Sequence, residues 1–206
     1  DFLDEDARKI ISDVKKRLEK LSLKIDVRYN ENDKIWDYFS EILDYLSDGT
    51  NIKVTKTKAN IEETVISMGQ ITFIGIPTGD IFGVFINTLL LFNGIEIEGI
   101  DFSKIDKRVT IVTFAGENCP FCATLSYYTN IIATKTKIKH VIVNVDKISD
   151  SLLMKIADTY KIKYVPVQVI LKRPIKKIDD ILNGEILRIG GEEYFDKYVE
   201  FLEAKL

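Results

Sequence analysis

Histidine and cysteine are nearly missing from this chain: its 206 residues hold one histidine, His140, and two cysteines. A four-ligand zinc centre of those residue types would need more of them. A disulfide-stapled secreted scaffold would need several cysteine pairs. Long apolar runs are also lacking. The most apolar stretch, 81–92, is broken by Gly83 and Asn87 and is too short to cross a bilayer, so it reads as a buried helix and no membrane partner is expected. Neither sign of charge dominates. The net charge is -3, and no lysine/arginine stripe interleaved with aromatics marks a nucleic-acid surface. No G-x-G-x-x-G occurs, so no nucleotide and no other cofactor is expected on this chain. The opening Asp1-Phe2-Leu3-Asp4-Glu5-Asp6 is acidic and has neither the basic flank nor the apolar run of an export signal, which makes a cytoplasmic location the expectation.

What remains is ample for a packed core, with 46% hydrophobic and 30% charged residues. The length suits one large domain or two of about 100 residues each. Isoleucine, lysine and glutamate are abundant and glutamine is scarce, a composition that points to a thermophilic source. Heat-adapted intracellular proteins also hold disulfides, so cysteine usage does not by itself fix the compartment.

The two cysteines stand three apart in Glu117-Asn118-Cys119-Pro120-Phe121-Cys122. An apolar strand, 109–115, runs into them and a helix leads out. Such a turn aims free backbone N–H groups at the first sulfur and favours thiolate over thiol, so Cys119 is expected to be the more acidic and reactive of the pair. A structural disulfide closing so short a loop would constrain the unfolded chain little. Half a zinc site has no second half here, and His140, at the head of an apolar strand, reads as an ordinary strand-end residue. A C-x-x-C beside a β-α-β pattern reads best as a redox motif.

The second half predicts strands at 109–115, 139–145, 166–171 and 185–189. Helices are predicted from about 123, from Ser149 as N-cap, and over 192–205. That β-α-β-α-β-β-α order is the thioredoxin plan. The first half repeats it with parts missing: an added helix at 3–21, then strand 24–29, helix 33–46, strand 52–55, a hairpin about Gly69-Gln70, and helix 80–92. The second helix of the plan has no counterpart there. The fold class is thus α/β, two tandem thioredoxin-like units in three α/β/α layers on a mixed sheet, the first unit reduced. The units are expected at 1–95 and 96–206, packed against each other with Ile97, Ile100 and Phe102 under their interface.

Gly75-Ile76-Pro77-Thr78-Gly79-Asp80-Ile81-Phe82, the C-P-F-C at 119–122, Val165-Pro166 and Gly190-Gly191 carry a resemblance over nearly the whole chain. They resemble the archaeal protein disulfide oxidoreductases, two fused thioredoxin-like units, and equally the N-terminal domain of the flavoprotein component of bacterial alkyl hydroperoxide reductase. In the archaeal family both units commonly carry C-x-x-C. Here the turn 30–37 has no cysteine, so the first unit is expected to be redox-dead.

The resemblance implies a glutaredoxin-like thiol-disulfide oxidoreductase that exchanges disulfides with protein substrates. Cys119 is implied as nucleophile and Cys122 as resolving thiol. Pro120 suits the first helical turn, and Phe121 offers an apolar contact. Pro166 matches the family's cis-proline, which presents the backbone edge of Val165 to an extended substrate. Gly190 and Gly191 match a pair that contacts glutathione in glutaredoxins, although a turn needing small residues explains them as well. Glu117 is a candidate for proton transfer or a plain surface acid. Thioredoxins keep a buried acid where this chain has Thr113. A flavin-dependent reductase as electron donor and a peroxiredoxin as a further partner are implied. The alternative is a non-catalytic peptide-binding or chaperone module on the same scaffold. The segment 172–183, basic then acidic, is an insertion expected at the end of the unit away from the thiols.

Overall fold

The computed structural model describes residues 5–206; Leu3 and Asp4, expected to open the first helix, lie outside the described residues. The elements run α1 (Glu5–Arg17), β1 (Ser22–Tyr29), α2 (Trp36–Ser47), β2 (Asn51–Lys58), β3 (Val65–Met68), β4 (Ile71–Ile74) and α3 (Gly79–Phe92). They continue as β5 (Thr110–Ala115), α4 (Pro120–Lys135), β6 (Lys139–Asn144), α5 (Asp150–Tyr160), β7 (Val167–Leu171), β8 (Glu185–Ile189) and α6 (Phe195–Lys205). Ser149 caps α5 as expected, its hydroxyl accepting the Leu152 N–H at 3.2 Å.

All eight strands form one mixed sheet in the order β2-β1-β3-β4-β6-β5-β7-β8. Taken separately, each half orders its strands second, first, third, fourth: β2-β1-β3-β4, then β6-β5-β7-β8. The internal repeat read from the sequence is therefore also a repeat of topology. The halves join where β4 pairs in parallel with β6, from Ile71 opposite His140 to Ile74 opposite Val143. That pairing covers what would otherwise be an exposed edge on each half.

Helix placement explains the strand sequences. Every residue of β5 is buried, because helices cover both faces of the sheet there. In β1 only Ile25 and Val27 are buried, and they alternate with exposed residues. Among the described residues the first half has no helix over its second face, so the third layer is complete only over the second half. Ile25 and Val27 join α1, α2 and α3 in one core cluster, which extends to Cys122 and Ala133 of α4. Helix α3 is apolar nearly all round, with Ile81, Val84, Phe85, Ile86, Leu89 and Leu91 buried, as a helix enclosed by its neighbours requires. Among the described residues no helix is long and apolar enough to cross a membrane.

Two connecting segments differ in kind. Ile100 and Phe102 pack on a cluster made by β5, α4 and α6 of the second half alone, so they do not lie under an interface between the halves. These two linker residues follow the apolar surface that α6 offers together with β5 and α4. The insertion after β7 does sit at the far end from the cysteines, where Arg173 and Pro174 share a cavity with Thr110 and Lys139 at the starts of β5 and β6. Its Ile181 is fully buried against the α5 side of the sheet.

Candidate active site

Strand β5 delivers the chain to a turn at 116–119, and α4 begins at Pro120. Cys119 is the N-cap of α4 and Pro120 occupies its first turn, where a missing N–H costs nothing. The Cys122 amide donates to Cys119 Sγ at 3.2 Å. The two sulfurs form a disulfide with their Cα atoms 5.2 Å apart. Cys119 is half-buried and Cys122 is wholly buried, its Sγ accepting the Gly116 amide at 3.5 Å. The first sulfur therefore faces outward at the positive end of a helix, and the second lies behind it.

Val165 closes the site from the other side. The Val165–Pro166 peptide bond is cis, and the Val165 carbonyl oxygen lies 4.0 Å from Cys119 Sγ. On one flank a cavity of about 370 Å³ is lined by Phe121, Val165, Pro166, Gly190 and Gly191, together with Tyr164 and Arg188. Five of the residues singled out from sequence thus converge on one surface. Gly191 sits where a Cβ would lie 3.0 Å from the Phe121 carbonyl oxygen and 3.3 Å from the Pro166 ring, which explains a small residue there. The Gly190 amide donates to the Pro166 carbonyl at 3.1 Å. On the other flank a groove of about 470 Å³ runs from Cys119 along Leu153, Ile156, Ile162 and Tyr164. Tyr164, 80% exposed, and the α5 residues of this groove had not been picked out from sequence. Their only signal was being apolar, immediately before Val165-Pro166 or within α5.

Glu117 has partners for each of its polar groups. Its amide donates to Asp146 Oδ2 at 2.8 Å, and its carbonyl accepts the Asp80 amide at 2.7 Å. Its carboxylate accepts the Thr78 hydroxyl at 2.5 Å and lies 3.6 Å from Lys147 Nζ. Two of these partners, Thr78 and Asp80, come from the half without cysteines.

Behind the site lies a buried polar network that the sequence reading missed. His140 is fully buried, with Nε2 2.7 Å from the Thr113 hydroxyl and Nδ1 2.7 Å from Asn130 Oδ1. Gln168 Nε2 donates to Thr113 and Thr129, each at 3.0 Å, and the Tyr198 hydroxyl donates to Gln168 Oε1 at 3.0 Å. Burial pushes the His140 pKa down to about 3, so the ring is neutral. Burial likewise pushes Tyr198 up to about 12. The expected plain strand-end histidine is instead the centre of a satisfied network. Thr113, standing where thioredoxins keep an acid, is one of its neutral links. Among the described residues no cluster of three or more histidine, cysteine, aspartate or glutamate side chains is arranged to hold a metal.

No protein-family model and no curated protein matches this sequence. Solved structures do match its fold. The alkylhydroperoxide reductase protein AhpF of Enterococcus faecalis superposes with a TM-score of 0.72 at 17% identity, covering 98% of this chain and 100% of that one. A protein disulfide oxidoreductase from Aeropyrum pernix gives 0.70 at 13% identity, covering 98% and 94%. The NTD_N/C domain of the same Enterococcus protein, solved by itself, gives 0.67 at 17%, covering 88% and 99%. Both families that the sequence resembles are represented, and at these identities the shared property is the tandem thioredoxin fold.

Proposed function

We propose that this chain is a thiol-disulfide oxidoreductase, with Cys119 and Cys122 exchanging disulfides with protein substrates. The observation that carries the reading is the pairing of a half-exposed sulfur at a helix N-terminus with a buried sulfur in bonding reach of it. In the reduced form the Cys119 thiolate attacks a substrate disulfide. A Cys119–substrate bond forms, and the other substrate sulfur leaves as thiolate. Cys122, giving its one proton to the first leaving thiolate, then attacks Cys119 Sγ; the Cys119–Cys122 bond forms as the Cys119–substrate bond breaks, and the second substrate sulfur leaves as thiolate. Two electrons pass to the substrate, and the chain keeps the Cys119–Cys122 disulfide.

The same exchange run backwards by a donor dithiol restores the pair. A flavin-dependent reductase is the donor class in this proposal, and a peroxiredoxin disulfide is one acceptor; attack by the donor falls on Cys119, because Cys122 is buried. An extended substrate segment lies along the Val165 edge with apolar side chains in the two flanking cavities. Residues 96–206 form the active unit and 1–95 the redox-inactive one.

Trapping tests the reading directly. Cys122→Ser is expected to accumulate a covalent mixed disulfide with a protein substrate, and Cys119→Ser to form none and lose turnover. Turnover surviving in Cys119→Ser would overturn the assignment. Peptide binding that persists undiminished without either thiol, and without any turnover in the wild type, would instead support the non-catalytic peptide-binding module.

A further inference from the structure

The half without thiols meets the redox turn through the segment 75–80, which joins β4 to the first turn of α3, and its core also packs against Cys119 and Cys122. Gly79 has φ +54°, and a Cβ there would lie 2.2 Å from the Glu117 carbonyl oxygen. Gly75, at φ +84°, would bring a Cβ within 3.0 Å of the Lys147 carbonyl. Only glycine permits both the backbone conformation and the approach. Between them, Asn144 Nδ2 donates to the Ile76 carbonyl at 2.9 Å and to the Thr78 hydroxyl at 3.0 Å. The Thr78 hydroxyl donates a hydrogen bond to the Glu117 carboxylate, and the Asp80 amide donates to the Glu117 carbonyl. The chain's most distinctive motif is therefore shaped to clamp the residue two positions before Cys119.

Helix α3 adds a second effect. Its first turn meets the chain just before α4 begins, and Asn130 Nδ2 donates to the Thr88 hydroxyl at 2.8 Å farther along both helices. The two helices hence run side by side in the same direction, with both N-termini at the cysteine end of the sheet. Aligned helices add their positive ends to the field there.

We infer that the cysteine-free half is a positioning element for the redox pair, with Thr78, Gly79 and Asp80 fixing the Glu117 turn so that Cys119 is held as a thiolate. This rests on the redox reading of the same site. Thr78 acts through Glu117 and touches no substrate; it is a positioning residue. Releasing the turn leaves the Cys119 thiolate less stabilised, which raises its pKa and favours the oxidised pair.

Thr78→Val, Thr78→Ser and Gly79→Ala test this in the full chain. The readouts are the equilibrium constant of the pair with glutathione and the pH dependence of Cys119 alkylation in the reduced protein. Thr78→Val and Gly79→Ala are expected to shift the equilibrium toward disulfide by about tenfold, equivalent to about 30 mV for a two-electron couple. Thr78→Ser, which keeps the hydroxyl, is expected to stay near wild type. If Gly79→Ala does not fold, the smaller Thr78→Val change carries the test. A folded Thr78→Val protein with lowered thermal stability but unchanged equilibrium and alkylation profile would overturn the inference and leave the redox function standing. A wild-type chain with no Cys119–Cys122 couple would overturn the function itself.

Discussion

The Cys122 amide donates to Cys119 Sγ at 3.2 Å, across the first turn of α4. A thiolate at 119 would keep that bond and gain from it, since hydrogen bonds to a charged acceptor are stronger. The two sulfurs are accordingly expected to differ. In the reduced protein, iodoacetamide should modify Cys119 first, with a midpoint below the free-thiol value near 8.5. Cys122, wholly buried, should react slowly in Cys119→Ser. Equal rates with ordinary midpoints would refute the asymmetry.

His140 should couple stability to pH. Its folded-state pKa is lowered from 6.5 to about 3 by burial, so the unfolded chain binds the proton more readily. Its contribution is complete above the unfolded value near 6.5 and is lost as pH falls toward 3, with a slope approaching about 1.4 kcal/mol per pH unit. Carboxylates titrate over part of that range, so the comparison is with His140→Asn. Unfolding free energies between pH 4 and 6 are expected to fall more steeply in wild type than in the variant. Parallel curves would mean that His140 is accessible to protons in the folded chain.

Phe121 separates binding from stability. It is 49% exposed beside the cavity formed with Val165 and Pro166. Phe121→Ala should change unfolding free energy by no more than about 0.5 kcal/mol, as an exposed site does. KM for a protein disulfide should rise several-fold with kcat nearly unchanged. A collapse of kcat with constant KM would assign Phe121 to the chemistry.

Tyr160 ties the insertion to the end of α5. Its hydroxyl donates to the Ile181 carbonyl at 2.6 Å and accepts the Gly184 amide at 2.9 Å. Tyr160→Phe leaves both groups without that partner and should cost about 1–3 kcal/mol in urea denaturation of the oxidised protein. The glutathione equilibrium should not move, because the insertion lies at the far end of the sheet from the thiols. A shifted equilibrium would link the insertion to the site.

The elements were legible because their patterns are strong: β5 and β6 are short segments rich in β-branched residues, and the β3–β4 hairpin turns at Gly69-Gln70. The C-P-F-C turn, Val165-Pro166 and Gly190-Gly191 were legible as motifs, and they meet around one sulfur. The β4–β6 pairing was not, because backbone bonds between strand edges leave no mark on side-chain pattern. The polar network was hidden by sequence distance, with Thr113 and His140 27 residues apart and Thr113 and Gln168 55 apart. One clue existed: Gln168 sits in the middle of an apolar strand, and a buried amide must find partners. In the G-I-P-T-G-D segment the glycines were readable, but the carbonyl that requires one of them lies 38 residues on, at Glu117.

One redox titration of the Cys119–Cys122 pair bears most directly on the whole reading. Reduced and oxidised fractions would be measured across glutathione buffers at pH 7. A thiolate held by a helix N-terminus should give a reversible two-electron couple with a midpoint in the region of roughly -200 to -230 mV, as in glutaredoxins. A pair that never bonds, or a disulfide persisting below roughly -300 mV as structural ones do, would contradict it.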